Sequence, residues 1–125
     1  FASKPPPRPD LPVVQKLVKV YKLWHEYLPH FPKTSRYTLG SKIDALFVET
    51  TESVVVASYL PKTEKLPLVK KGAVKLDLLK FFLQVSWEIK SLDNKKYINL
   101  SEHLDEIGKM LGGWVKQLSK ETPSF

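Results

Sequence analysis

The stretch NKKYINLSEHLDEIGKMLGGWVKQL, residues 94–118, places Tyr97, Leu100, Leu104, Ile107, Leu111, Trp114 and Leu118 at spacings of 3, 4, 3, 4, 3 and 4. A seam with that period is the buried stripe of an amphipathic helix facing one partner. Asp93 stands just before it as an N-cap, so the spacing predicts a helix over residues 94–120. Gly112 and Gly113 lie inside the pattern, and each costs about 1 kcal/mol of helix propensity relative to Ala. Close packing or an early fray is therefore expected there.

Working upstream, residues 66–92 are apolar on two faces. Leu76, Leu79 and Leu83 mark one, and Leu78, Phe82, Val85, Ile89 and Leu92 the other. A helix of that kind wants two partners; a bundle supplies one and a subunit interface can supply the second. Residues 35–61 carry the seam Leu39, Ile43, Leu46, Thr50, Ser53, Ala57 and Leu60, capped by Thr34 or Ser35 and closed by Pro61. Its small middle residues invite the close approach of a neighbouring backbone or a bulky aromatic. Residues 13–29 carry Val14, Leu17, Tyr21, Trp24 and Leu28, continued by Phe31, with Asp10 and Pro12 at the start and Pro29 and Pro32 at the stop. None of these segments alternates with period 2. Four amphipathic helices with short connections predict an all-α, antiparallel up-down-up-down bundle over residues 13–120. Residues 1–12, crowded with proline, read as an extended arm, and residues 121–125 as a tail.

The composition narrows the function. The 125 residues, 42% hydrophobic and 26% charged, suit one globular domain and exclude wholesale disorder. The absence of cysteine excludes disulfides, thiol nucleophiles and thiolate metal sites. No apolar run approaches a membrane span, and no charged-then-apolar segment opens the sequence, so a cytoplasmic protein without a membrane partner is expected. Di-metal bundles use Glu-x-x-His pairs, and no histidine stands three residues after a glutamate here. His25, His30 and His103 are scattered and read as surface or packing residues. Without a Gly-x-Ser-x-Gly elbow or a phosphate loop, no catalytic residue, cofactor or metal is expected. The chain reads as a binding protein.

Its net charge of +7 points to a polyanion. Lysine is concentrated at Lys62, Lys65, Lys70, Lys71, Lys75 and Lys80, and Lys71 and Lys75 share a helix face. Lys16, Lys19 and Lys22 lie along the first helix, Lys33 and Arg36 flank the first turn, and Lys109 and Lys116 lie on the last helix. Lysines meet phosphates as point charges, independently of sequence and with strong salt dependence. With two arginines in the chain, bidentate base reading has little to work with.

Three stretches carry a resemblance. They are Leu11-Pro12-Val13-Val14-Gln15-Lys16, then His30-Phe31-Pro32-Lys33 leading into Arg36-Tyr37-Thr38-Leu39-Gly40, and the run from Leu104 to Lys116 containing IGKMLGGW. Over about residues 11–118 the chain resembles the accessory variability proteins of diversity-generating retroelements. That family is related to the four-helix proteins encoded by intervening sequences in bacterial ribosomal RNA genes. The resemblance implies a ring-like homopentamer with a basic surface. It also implies binding to the retroelement's reverse transcriptase and to its template RNA in mutagenic cDNA synthesis, with no catalytic centre in the accessory chain. Phe31, Pro32, Arg36, Tyr37, Leu39 and Gly40 would form the family's first turn and helix start, and Gly108, Lys109, Gly112, Gly113, Trp114 and Lys116 its last-helix signature. Phe31, Leu39 and Trp114 are expected to pack, and the lysines to contact nucleic acid or polymerase. Lys33, Lys80 and Lys109 stand where the family often has arginine, which keeps the charge and loses the fork. Two other readings remain open at this point: an intervening-sequence-type RNA-binding bundle without a polymerase, and a structural helical oligomer.

Overall fold

The computed structural model describes residues 11–121, so most of the proline-rich arm, with Asp10, and nearly all of the tail lie outside the described residues. Helix α1 is Pro12–Tyr27. Proline at the first helical position lacks an N–H that would be unpaired there anyway. The helix ends two residues earlier than its spacing predicts, because Pro29 draws Leu28–His30 into a tight 3₁₀ turn.

The entry to the second helix is more irregular than the sequence suggests. Pro32, rather than Thr34 or Ser35, precedes a single α turn at Lys33–Ser35, which widens into a π turn at Arg36–Gly40. Ser35 caps nothing; its hydroxyl is buried and paired with that of Ser91, 2.8 Å away. Arg36 ties the turn down, donating from Nη2 to the carbonyls of Pro29 (2.7 Å) and Phe31 (2.9 Å). At Gly40 a Cβ would lie 3.0 Å from Cδ1 of Leu28, so glycine permits this approach of the two segments.

Helix α2, Ser41–Tyr59, follows without a break. It buries Ile43, Leu46, Thr50, Ser53 and Ala57 as its spacing predicts, and Thr50 returns its hydroxyl to the Leu46 carbonyl at 2.7 Å. The small middle of this seam receives a backbone: Gly72 of the next helix is buried there, and a Cβ on it would stand 3.2 Å from Cγ2 of Val54. Lys65 donates to the Ala57 carbonyl at 2.8 Å, placing a cation on the C-terminal end of α2.

Helix α3 is Lys62–Glu88, shifted about one turn earlier than residues 66–92. Pro61 launches it, Pro67 is accommodated in its second turn, and Lys90 ends it by adopting φ 65°. The amides of Ser91 and Leu92 then bond back to the Ser86 carbonyl. Leu92 consequently leaves the helix and turns into the core instead of extending the second apolar face. Of that face, Phe82 and Val85 are half-buried while Leu78 and Ile89 stay exposed, joined on the surface by Val74 and Phe81.

Helix α4, Asn94–Glu121, is capped by Asp93, which accepts the Lys96 amide at 2.9 Å. Leu100, Leu104, Ile107, Leu111 and Leu118 are buried; Tyr97 and Trp114 are only half-buried. Gly112 and Gly113 correct the expectation of packing or fraying. The helix runs through them, both are exposed, and nothing lies within 4 Å of where either Cβ would be.

No strand occurs among the described residues. The four helices enclose one core, in which Trp24 stacks on Phe47 (5.6 Å between centroids) and meets the edge of Phe31 (5.4 Å). Each long helix packs against two others: α2 on α1 and α3, α4 on α3 and α1. Asp44 pins α2 to α1 by accepting from the Tyr21 hydroxyl (3.0 Å) and Trp24 Nε1 (3.1 Å). Burial, then the bond to Asp44 and its charge, hold the Tyr21 phenol above its ordinary pKa.

Candidate nucleic-acid interface

The structure divides the predicted lysines into two groups. Lys16, Lys75 and Lys80 are held by carboxylates of a neighbouring helix: Lys16 to Glu106 at 2.7 Å, Lys75 to Glu49 at 3.3 Å, and Lys80 to Asp105 at 2.8 Å. Their charge is largely answered within the fold. Lys19, Lys22, Lys33, Lys70, Lys71, Lys109 and Lys116 are exposed and have no ion pair among the described residues. Of the lysines expected to make contacts, these seven are free to meet a partner.

The free lysines do not form one patch along the sequence; the helices distribute them. Lys19 and Lys22 line a shallow depression of about 430 Å³ between α1 and α4, with Glu26 and His103 on its wall. Glu106 borders the same seam. The hydrogen bond from Lys16 keeps its carboxyl below the usual range, helped by the charges of Lys16, His103 and Lys19. Lys70 and Lys71 project from the early part of α3, and Lys109 and Lys116 lie two turns apart on α4, with the bare Gly112–Gly113 surface between them. Lys71 and Lys75, expected to act together, are separated in role, since Lys75 is tied to α2 and Lys71 is free.

The motif residues also separate. Phe31 and Gly40 are buried, Leu39 and Arg36 half-buried, and Pro32 and Tyr37 exposed. The Arg36 guanidinium is committed to two backbone carbonyls, so its visible work is to hold the first turn. Gly108 is half-buried beside Leu76, while Trp114 lies over a small apolar hollow with Leu11, Pro12, Val13 and Met110.

Two groups escaped the sequence reading. Trp87 is 39% exposed and stacked on Tyr97, and Lys90 stands exposed in the left-handed region beside it. The signal for Trp87 was its place off the buried stripe Leu79, Leu83, Ser86. For Lys90 it was the lack of a glycine at the end of α3.

Among the described residues no group of three or more His, Asp or Glu could hold a metal, and no helix is long and apolar enough to cross a membrane. The class thus defined is an all-helical bundle with unpaired surface lysines. The family profile described as bAvd-like matches residues 11–118, and the chain belongs to that family, the accessory variability determinants. No curated protein matches the chain significantly.

Proposed function

We propose that this chain is a non-enzymatic accessory subunit of a diversity-generating retroelement, acting in the cytoplasm as a ring-like homopentamer of up-down-up-down bundles. Its free lysines bind the template RNA and the cDNA copied from it, and its surface also receives the reverse transcriptase. Family membership over residues 11–118 carries this reading. The unpaired lysines supply the electrostatics that sequence-independent phosphate binding needs. The apolar surface of α3, with Val74, Leu78, Phe81 and Ile89 exposed, gives copies of the chain something to bury.

Light scattering across a salt series, with and without a structured RNA, tests the reading. The expected result is a mass of about five times 14.4 kDa that rises on adding RNA and returns at high salt. A single 14.4 kDa species indifferent to RNA refutes it.

A further inference from the structure

Where α3 gives way to α4, an open hollow of about 630 Å³ is lined by Trp87, Glu88, Lys90, Leu92, Asp93 and Asn94. Trp87 is the only aromatic ring in that wall, and two contacts fix its plane. The ring lies nearly parallel to Tyr97, 14° between planes and 5.2 Å between centroids, and its Nε1–H donates to Oδ1 of Asn94. Tyr97 covers one indole face from a different depression, shared with Lys80 and Phe81. Trp87 itself lines the hollow and is 39% exposed, so the indole is not wholly covered by Tyr97. An aromatic plane already ordered before a ligand arrives loses little freedom on binding.

The charges around the hollow are of both signs and decide what can enter. Glu88 is exposed on the wall and disfavours a phosphate inside. Asp93 is occupied: its carboxylate accepts the Lys96 amide and pairs with Lys96 Nζ at 3.2 Å. Lys90 lines the hollow and Lys95 follows its lining residue Asn94 in the chain; both are exposed, with no ion pair among the described residues. A ligand that suits this arrangement puts a flat, uncharged ring against the indole and its anionic group outside, toward the two lysines. A nucleotide within a single strand has that form. A paired base in a duplex does not, because both its faces are already stacked.

We propose that Trp87 is a stacking platform for one unpaired nucleobase of a single strand, with Lys90 and Lys95 meeting the adjoining phosphates. The proposal rests on the nucleic-acid binding argued above and adds to it a place and a preference for unpaired over duplex substrate. Stacking is blind to the sugar, so unpaired RNA and nascent cDNA share this chemistry.

Fluorescence anisotropy with a labelled 12-mer of oligouridylate, its deoxy counterpart, and an abasic phosphodiester of equal length and charge separates base from phosphate. The full chain should bind either base-bearing strand about 5- to 150-fold more tightly than the abasic one, the range for stacking one base on an aromatic side chain. Trp87→Ala should abolish that ratio while leaving abasic affinity and the salt slope unchanged, and Trp87→Phe should keep most of it. Lys90→Ala with Lys95→Ala should lower the salt slope for all three strands. Quenching of indole emission by the base-bearing strands, and not by the abasic one, reads the same event without a variant. Equal affinity for base-bearing and abasic strands overturns the proposal, as does a Trp87→Ala protein that keeps the preference. A change in mass for Trp87→Ala, without loss of base preference, assigns the ring to a contact between copies and overturns it as well. If no strand binds even at low salt, the nucleic-acid reading falls too, which distinguishes the two failures.

Discussion

Replacing Gly112 and Gly113 together by alanine should stabilise the isolated bundle by about 2 kcal/mol. Each glycine sits in the interior of α4, where alanine is favoured by about 1 kcal/mol because it loses less backbone entropy on folding. That gain is realised only if the added methyl meets nothing. Here nothing beyond the adjacent residues and the helix's own backbone lies within 4 Å of either Cβ position, and the helix continues to Glu121, so fraying does not exempt these positions. Unfolding entropy of about 2.1 cal/mol/K per residue over 125 residues converts the gain into a Tm rise of about 8 °C. In urea the midpoint should rise by about 1 M with an unchanged m-value, taking m near 2 kcal/mol/M. Single variants should each give about half, since neither methyl touches the other's surroundings. The experiment is best run dilute, where copies of the chain are apart. A loss of stability in either single variant would refute the reasoning, because it would mean that something covers this surface in solution.

Gly72→Val should destabilise the fold by about 1–3 kcal/mol in urea unfolding, since its branched side chain is forced against Val54 and Ser53, whereas Gly72→Ala should be near neutral as propensity offsets the 3.2 Å contact. Trp24→Ala should cost about 3–5 kcal/mol and Trp114→Ala about half of that, because the first ring is fully buried and the second only partly; equal losses would contradict these placements. Lys70→Glu with Lys71→Glu should leave the melting curve unchanged while reducing the log–log salt slope of RNA binding by about 0.7–0.9 for each phosphate no longer neutralised. Glu106 and Asp93 titrate lower folded than unfolded, owing to Lys16 and to the Lys96 amide respectively. Their contribution is therefore complete above the ordinary carboxylate pKa and fades as the pH falls through the lowered values. Glu106→Gln with Asp93→Asn should flatten the acid limb of a Tm-against-pH curve; an unchanged limb would show that neither pair contributes to it.

The buried stripes were legible because heptad spacing is a local property of a helix. On α2 the seam from Ile43 to Ala57 is buried position by position, and on α4 the leucines and Ile107 are as well. What could not be read were features set by two segments at once. The end of α3 depends on Lys90 taking a left-handed conformation that its residue type disfavours, and the turn at Ser35 on a hydroxyl partner 56 residues away. Gly112 and Gly113 were misread for the same reason. A glycine pair inside a seam looks alike whether a neighbour presses on it or nothing does, and only the outward direction of both positions decides. Among the lysines, the sequence shows number and helix face but not which carboxylate stands opposite, so paired Lys75 and free Lys71 looked equivalent.

The residues on which the sequence resemblance rests divide into two kinds. The first-turn group is largely absorbed by architecture: Phe31 packs on Trp24, Gly40 admits Leu28, and Arg36 spends its donors on the Pro29 and Phe31 carbonyls. Arg36→Lys should therefore loosen the turn even though it preserves charge, because it removes the second donor, Nε, which also reaches the Phe31 carbonyl at 3.2 Å, and the planar geometry that holds both. The last-helix group is different. Gly112 and Gly113 are exposed, have nothing beyond their own helix within 4 Å of a Cβ, and forgo the helix propensity that alanine would restore. Lys109 and Lys116 beside them are exposed without an ion pair among the described residues. Folding alone does not account for a bare backbone flanked by two free cations. The double alanine variant therefore also tests partner binding at this surface: lost RNA or subunit binding in a more stable bundle assigns it a contact, and unchanged binding denies it one.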